Sequence, residues 1–329
     1  MDNALQAELQ RLGDLELAVL VSLIAREHCI FSTDGSRHDL RDELSVICSV
    51  VFGLQLAVIG CSPSTTVDEF SEGILVEPSL DNESPVERRR SYHLSSTRTA
   101  QFGSNTLDTR RIADVIIAVD LDTASENVQV QALELIRTKR VFTRTAMHTA
   151  SKDFMVLSIT SAPGTRLSKH LNDLFCMSHF HPSSDGLQYF NNDATAEDMP
   201  SITPDSIDAL RTLTSEVYLS PELAAYLHNV VVFMRSSRYI SGGVTATATR
   251  QLRAISKLLA PLHGLDYVPP SLVTLAAHKI YPHRLRLATA QTERSLQWGS
   301  DPEAVKRLLE GVTVEDAIED VLASVETPL

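Results

Sequence analysis

Ala113-Asp-Val-Ile-Ile-Ala-Val-Asp-Leu-Asp-Thr-Ala-Ser-Glu-Asn-Val-Gln-Val-Gln-Ala-Leu-Glu-Leu-Ile-Arg-Thr-Lys-Arg140 is the stretch that decides the fold. Val115, Ile116, Ile117 and Val119 form a β-branched apolar run, the composition of a strand covered on both faces. An acidic turn follows, then a segment with helical spacing. Asp120 and Asp122 stand at the carboxyl end of that strand, where open α/β sheets place their ligands.

Outward from this stretch the pattern repeats. Residues 4–27 have helical spacing, interrupted at Gly13-Asp14. Cys29-Ile-Phe31 is a short strand candidate, Asp39 to Phe52 is helical and ends at Gly53, and Leu54 to Ile59 is a further strand. Strand, helix, strand at this spacing is a βαβ unit. Another strand is expected at Phe154 to Ile159, and another element at Leu171 to Phe180. Between these, residues 77–111 are rich in Ser, Thr, Asn and Arg, with Glu87-Arg-Arg-Arg90 inside them, and read as a flexible insertion. Residues 182–204 are polar and read as a connection, the linker proper being 191–204. From 205 onward helices are expected at 205–217, 220–236, 245–263, 269–281 and 301–325, with Trp298 and Leu296 closing the apolar face of that region. The domain reading is therefore an α/β core over 1–190 and an all-α domain over 205–329.

The composition bounds the function. The 329 residues suffice for two domains, and the net charge of −13 argues against a general nucleic-acid or anionic-membrane binder. Four cysteines lie far apart without a CxxC pair, which suits reduced thiols in a cytoplasmic protein. The acidic first residues do not read as a signal peptide, and no apolar run is long enough for a bilayer span. His170, Cys176, His179 and His181 cluster in sequence, but no CxxC or HExxH anchors them and no metal site is assigned.

Several strings, in order, resemble the MoxR and magnesium chelatase subunit I branch of the AAA+ ATPases, and most of all the divergent magnesium-chelatase-like proteins of fungi. They are His28-Cys-Ile-Phe31, Cys61-Ser-Pro-Ser-Thr-Thr-Val-Asp-Glu-Phe70 and Asp122 to Ile136. In the C-terminal part they are Val217-Tyr-Leu-Ser-Pro-Glu-Leu-Ala-Ala-Tyr226, Val230 to Arg235, Gly264-Leu-Asp-Tyr-Val-Pro-Pro270 and His283-Arg-Leu285. The resemblance covers about residues 25–285. It implies a P-loop NTPase-like parallel sheet sandwiched by helices, followed by a helical lid. It also implies protein partners in a homo- or hetero-oligomer of AAA+-type subunits; no cofactor is expected, ATP and Mg²⁺ entering only if residual nucleotide binding persists.

The same resemblance locates a nucleotide site and shows it degraded. A triphosphate needs a glycine-rich turn and a lysine. At the matching place stands Ser32-Thr-Asp-Gly-Ser-Arg-His-Asp-Leu40, in which Gly35, Ser36, Arg37 and His38 are the candidate binding residues and the lysine is missing. The Mg²⁺-orienting Asp is replaced by Val119, leaving Asp120 and Asp122 as the remnant catalytic carboxylates. Thr160 or Ser161 takes the sensor Asn position, Leu174 the finger Arg position, and Thr247 the lid's sensor Arg position, with Arg250 one turn on. Losses of this kind compound, because these groups act together. The expectation is a non-hydrolysing pseudo-ATPase acting as a scaffold or regulatory subunit. The alternative is an ATP-hydrolysing subunit of a magnesium-chelatase-like complex for metal insertion or remodelling.

Overall fold

A computed structural model describes residues 3–77, 109–144, 146–189 and 199–328. Their contacts divide the chain into two compact units, one carried by Asp2–Phe175 and His179–Ala209, the other by Leu210–Leu329 with the short piece Cys176–Ser178.

The first unit opens with α1 (Asn3–Gln10) and α2 (Asp14–Ala25), separated at Gly13 as the sequence suggests. β1 (His28–Thr33) leads through a three-residue loop into α3 (Arg37–Val46), which relaxes into a π turn at Ile47–Val51 before Gly53 turns the chain at φ +64. β2 (Leu56–Gly60) and α4 (Val67–Gly73) follow. Thr66 starts α4 with a capping box: its hydroxyl accepts from the Glu69 N–H, and the Glu69 carboxylate accepts from the Thr66 N–H at 2.8 Å. β3 (Leu75–Val76) pairs antiparallel with β4 (Arg111–Ile112), so the two ends of the expected insertion meet in a short ladder. Residues 78–108, with Arg88 to Arg90, lie outside the described residues.

The deciding stretch folds as read. β5 (Val115–Val119) is buried at every residue and runs into α5 (Glu126–Thr138). The β6 (Arg140–Phe142) and β7 (Met147–Thr149) hairpin, β8 (Met155–Ile159), α6 (Lys169–Leu174) and β9 (Phe175–His181) complete the unit. The segment expected as one element at 171–180 is thus the end of a helix and most of a strand. The main sheet has the order β2-β5-β8-β1-β9, with β2, β5, β8 and β1 paired in parallel. Because β1 is followed by β2, three places along the sheet, and β9 then returns to the other side of β1, the chain reverses its winding beside β1, and that is where such sheets open a crevice. Ile116 and Ala118 pack with Val128 and Leu135 of α5 and with Phe154 and Phe175 in one buried cluster.

The second unit is helical: α7 (Pro204–Glu216), α8 (Pro221–Ser236), α9 (Ala246–Leu262), α10 (Pro270–Ile280), α11 (Pro302–Leu309) and α12 (Val314–Ser324). Ser220 caps α8, its hydroxyl accepting from the Leu223 N–H at 3.1 Å, with Pro221 in the first turn. A two-stranded ladder, β10 (Ile240–Gly242) with β11 (Arg286–Leu287), joins the ends of α8 and α10. Two expectations fail here. The helix read over 301–325 is two helices, because Gly311 takes φ +77 and Thr313 begins a new capping box. Trp298 does not close an apolar face: it is 88% exposed on the turn Arg294–Trp298. Periodicity could not place it, since a five-residue 3₁₀ turn has no apolar face to assign.

Candidate functional site

The carboxyl ends of four strands are drawn level by hydrogen bonds that continue the sheet beyond its strands. Cys61 N donates to Val119 O at 2.8 Å, Asp120 N to Ile159 O at 2.8 Å, and Thr160 N to Phe31 O at 3.0 Å. This row sets Asp120, Thr160 and the loop after β1 side by side, at the place where a parallel sheet binds ligands.

The loop after β1 has the outline of a phosphate loop without its working parts. Ser36 caps α3, its hydroxyl accepting from the Asp39 N–H at 3.3 Å, and Arg37 is the first helical residue. Gly35 N donates to the Thr33 hydroxyl at 3.0 Å, and Gly35 does not take the positive φ found at seven other glycines. The backbone therefore lacks the left-handed turn with which a phosphate nest aims successive N–H groups at an anion. The Asp34 carboxylate accepts from Ser183 N at 2.7 Å, and a Cβ placed on Gly35 would stand 3.1 Å from the Ser183 Cβ. That Ser183 N–H bond holds the Asp34 carboxyl below its usual value.

Arg37 turns across the crevice and forms an ion pair with Asp120. Asp120 adopts a left-handed backbone, φ 57, a conformation that aspartate tolerates better than most residues. Asp122 is engaged separately: its Oδ1 accepts from Ser161 N at 3.0 Å and its Oδ2 from the Ser161 hydroxyl. Cys61 lies beside them, and burial, reinforced by the two aspartates, pushes its thiol up to about 12. It is a neutral thiol, not a nucleophile. His38 is exposed and lies 3.5 Å from Arg41. Arg250 belongs to the helical unit, exposed on α9.

Of the candidate residues, the structure joins Arg37 to Asp120 and places Gly35 and Ser36 at the same loop, and it gives His38 no role there. Sequence reading missed Ser183 and Tyr189. The segment after β9 folds back on the α/β unit: Ser183 meets Asp34, and Tyr189 is held by two buried carboxylates. Its N–H donates to both oxygens of Glu43, at 2.9 and 3.1 Å, and its hydroxyl donates to Glu16 at 2.6 Å. Burial, then Glu16, raises the Tyr189 hydroxyl well above its ordinary value. Among the described residues no group of three or more His, Cys, Asp or Glu side chains could hold a metal. His179 and His181 stack on β9 with ring centroids 6.5 Å apart, and all four cysteines are buried. No helix among the described residues is long and apolar enough to cross a membrane.

With this geometry, the comparison with solved structures is decisive for the fold. A protein of Cytophaga hutchinsonii, described as a candidate ATPase, superposes with a TM-score of 0.68 over 99% of this chain and 96% of its own, at 15% identity. The fold is of the AAA+ type: a parallel sheet between helices, followed by a helical unit. An MCM homologue from Methanopyrus kandleri aligns with a TM-score of 0.45 at 12% identity, over 83% of this chain and 56% of that one. In sequence, the Maintenance of telomere capping protein 2 of Lachancea thermotolerans is 23% identical over 172 residues, 50% of this chain. The match spans 56% of that relative's length. No protein-family model matches the chain. In this fold the Arg37–Asp120 pair joins the loop after β1 to the carboxyl end of β5.

Proposed function

We propose that this chain is an AAA+-type pseudo-ATPase, related by descent to magnesium chelatase subunit I, that serves as a scaffold or regulatory subunit for protein partners. The observation that carries the reading is the ion pair between Arg37 and Asp120. The cation of the phosphate loop and the carboxylate of the acidic strand end neutralise each other, so neither is left for a polyanion or a metal ion. Asp34 adds a carboxylate at the loop, and Ser183 stands against Gly35. ATP with Mg²⁺ does not fit these residues: the loop has neither the glycine turn nor the lysine that a triphosphate requires. Catalysis of phosphoryl transfer rests on such preorganised charges, and their joint loss leaves no machine for it.

The name of the curated relative directs the process served toward maintenance of telomere capping, and a share in that process is part of this proposal. The test is steady-state ATP hydrolysis by the purified chain. The expected rate is that of buffer alone, with and without Mg²⁺. A measurable rate that disappears in Asp120→Asn sinks the proposal and makes the chain an ATP-hydrolysing subunit instead.

A further inference from the structure

At one end of the helical unit the charge runs against that of the whole chain. Residues 217–300 hold nine Lys and Arg against three Asp and Glu, in a protein of net charge −13. The end of α8, the loop after it, the β10–β11 ladder and the turn Arg294–Trp298 carry Arg235, Arg238, Arg286 and Arg294 at exposed positions. The links are explicit: Arg235 Nε donates to Val244 O at 3.4 Å, Gly242 pairs with Arg286, and Arg238 Nε lies 3.6 Å from Glu293 Oε1. Glu293 in turn accepts from Ser295 N at 2.9 Å and so fixes the turn that carries Trp298 outward. An indole that open to water, on a turn that also carries Arg294 and is tied through Glu293 to Arg238, is the composition of an interface anchor rather than of a resting surface.

The complementary surface lies on the same chain. Residues 301–329 hold two Lys and Arg against eight Asp and Glu. On α12, Ala317, Ile318 and Val321 face inward, while Glu315, Asp316, Glu319 and Asp320 are exposed. α12 packs on α8, whose Val232 and Phe233 are exposed large hydrophobics.

We propose that the Arg-rich end of this unit that exposes Trp298 is a self-association surface, and that it receives the acidic α12 face of a second copy of this chain. Exposed ion pairs orient such an encounter more than they hold it, and the burial of Trp298 supplies the hold. The surface lies outside the strand-end crevice, so the inference does not depend on whether nucleotide is bound.

The test is sedimentation velocity of the full chain without nucleotide. Wild type is expected to associate, and to dissociate when salt rises from about 0.05 M to about 0.5 M, where exposed charges are screened. Trp298→Ala is expected to weaken association at least ~10-fold. Arg294→Glu with Arg286→Glu, and separately Glu319→Arg with Asp320→Arg, should each be monomeric. Mixing these two variants should restore a 1:1 complex, which also shows that both are folded. A wild type that stays monomeric, or a mixture that stays monomeric, overturns the proposal. So does a monomeric wild type whose Trp298 end binds anionic vesicles or single-stranded DNA, because the occupant is then not a second copy.

Discussion

Arg37 and Asp120, 83 positions apart in sequence, form one ion pair across the strand-end crevice, and that pair defines the state of the site. Asp120→Asn removes the carboxylate and leaves the guanidinium at the start of α3, where the helix dipole adds positive potential. Inorganic pyrophosphate is then expected to raise the thermal midpoint of the variant but not of wild type. Equal shifts in both proteins contradict the account. The two side chains are 37% and 25% exposed, so loss of the pair itself should lower stability by no more than about 1 kcal/mol.

Tyr189 is the heavier structural anchor. Its hydroxyl donates to Glu16, a residue only 2% exposed, and its N–H donates to Glu43, only 1% exposed. Tyr189→Phe leaves a buried carboxylate short of a donor, at a cost of about 1.5–3 kcal/mol. Urea unfolding should show a lower midpoint with an unchanged slope. A change within about 0.5 kcal/mol, the range of ordinary surface substitutions, counts against the clasp.

Asp34 gives the fold-back segment a pH dependence. Its folded value lies below the ordinary 3.8, held down by the Ser183 N–H. A depressed carboxyl contributes stability that is present above the unfolded value and lost as pH falls through the folded one. The difference in unfolding midpoint between wild type and Asp34→Asn should therefore be constant at neutral and mildly acid pH and shrink below 3.8. A difference that grows with acidification contradicts the Ser183 contact.

His28 works in the same direction for another reason. Burial, with a smaller contribution from Lys139, lowers it from 6.5 to about 4, and its Nδ1 accepts from Val156 N at 3.0 Å. The unfolded chain thus takes up a proton between pH 6.5 and about 4 that the folded chain refuses. Stability is lost as pH falls through that window, by about 3 kcal/mol on the scale of 1.36 kcal/mol per pH unit. His28→Gln should flatten this part of the stability profile, and an unchanged slope would show that the ring is not the cause.

The parts of the fold that were legible in sequence were those with a period. β5 declared itself by an unbroken β-branched run, and α8 by Ser220-Pro221 at its start, so both stand within a residue or two of their expected places. Asp120 and Asp122 could be placed at the strand end because the end of β5 was readable. What could not be read was pairing at a distance. Arg37 read as a candidate binding residue of its loop, and nothing local told that it would pair with Asp120. Ser183 and Tyr189 sit in a polar, aperiodic stretch whose turn residues mark a change of direction but not a destination. Trp298 failed for the opposite reason: a large apolar side chain was assigned to an interior that its short turn does not provide.

The central claim is electrostatic: the crevice has satisfied its own charges and has none to offer a nucleotide. Calorimetric titration of the purified chain with ATP and Mg²⁺ tests it most directly. The account expects no saturable heat. Tight, Mg²⁺-dependent binding that is abolished by Arg37→Ala would contradict it.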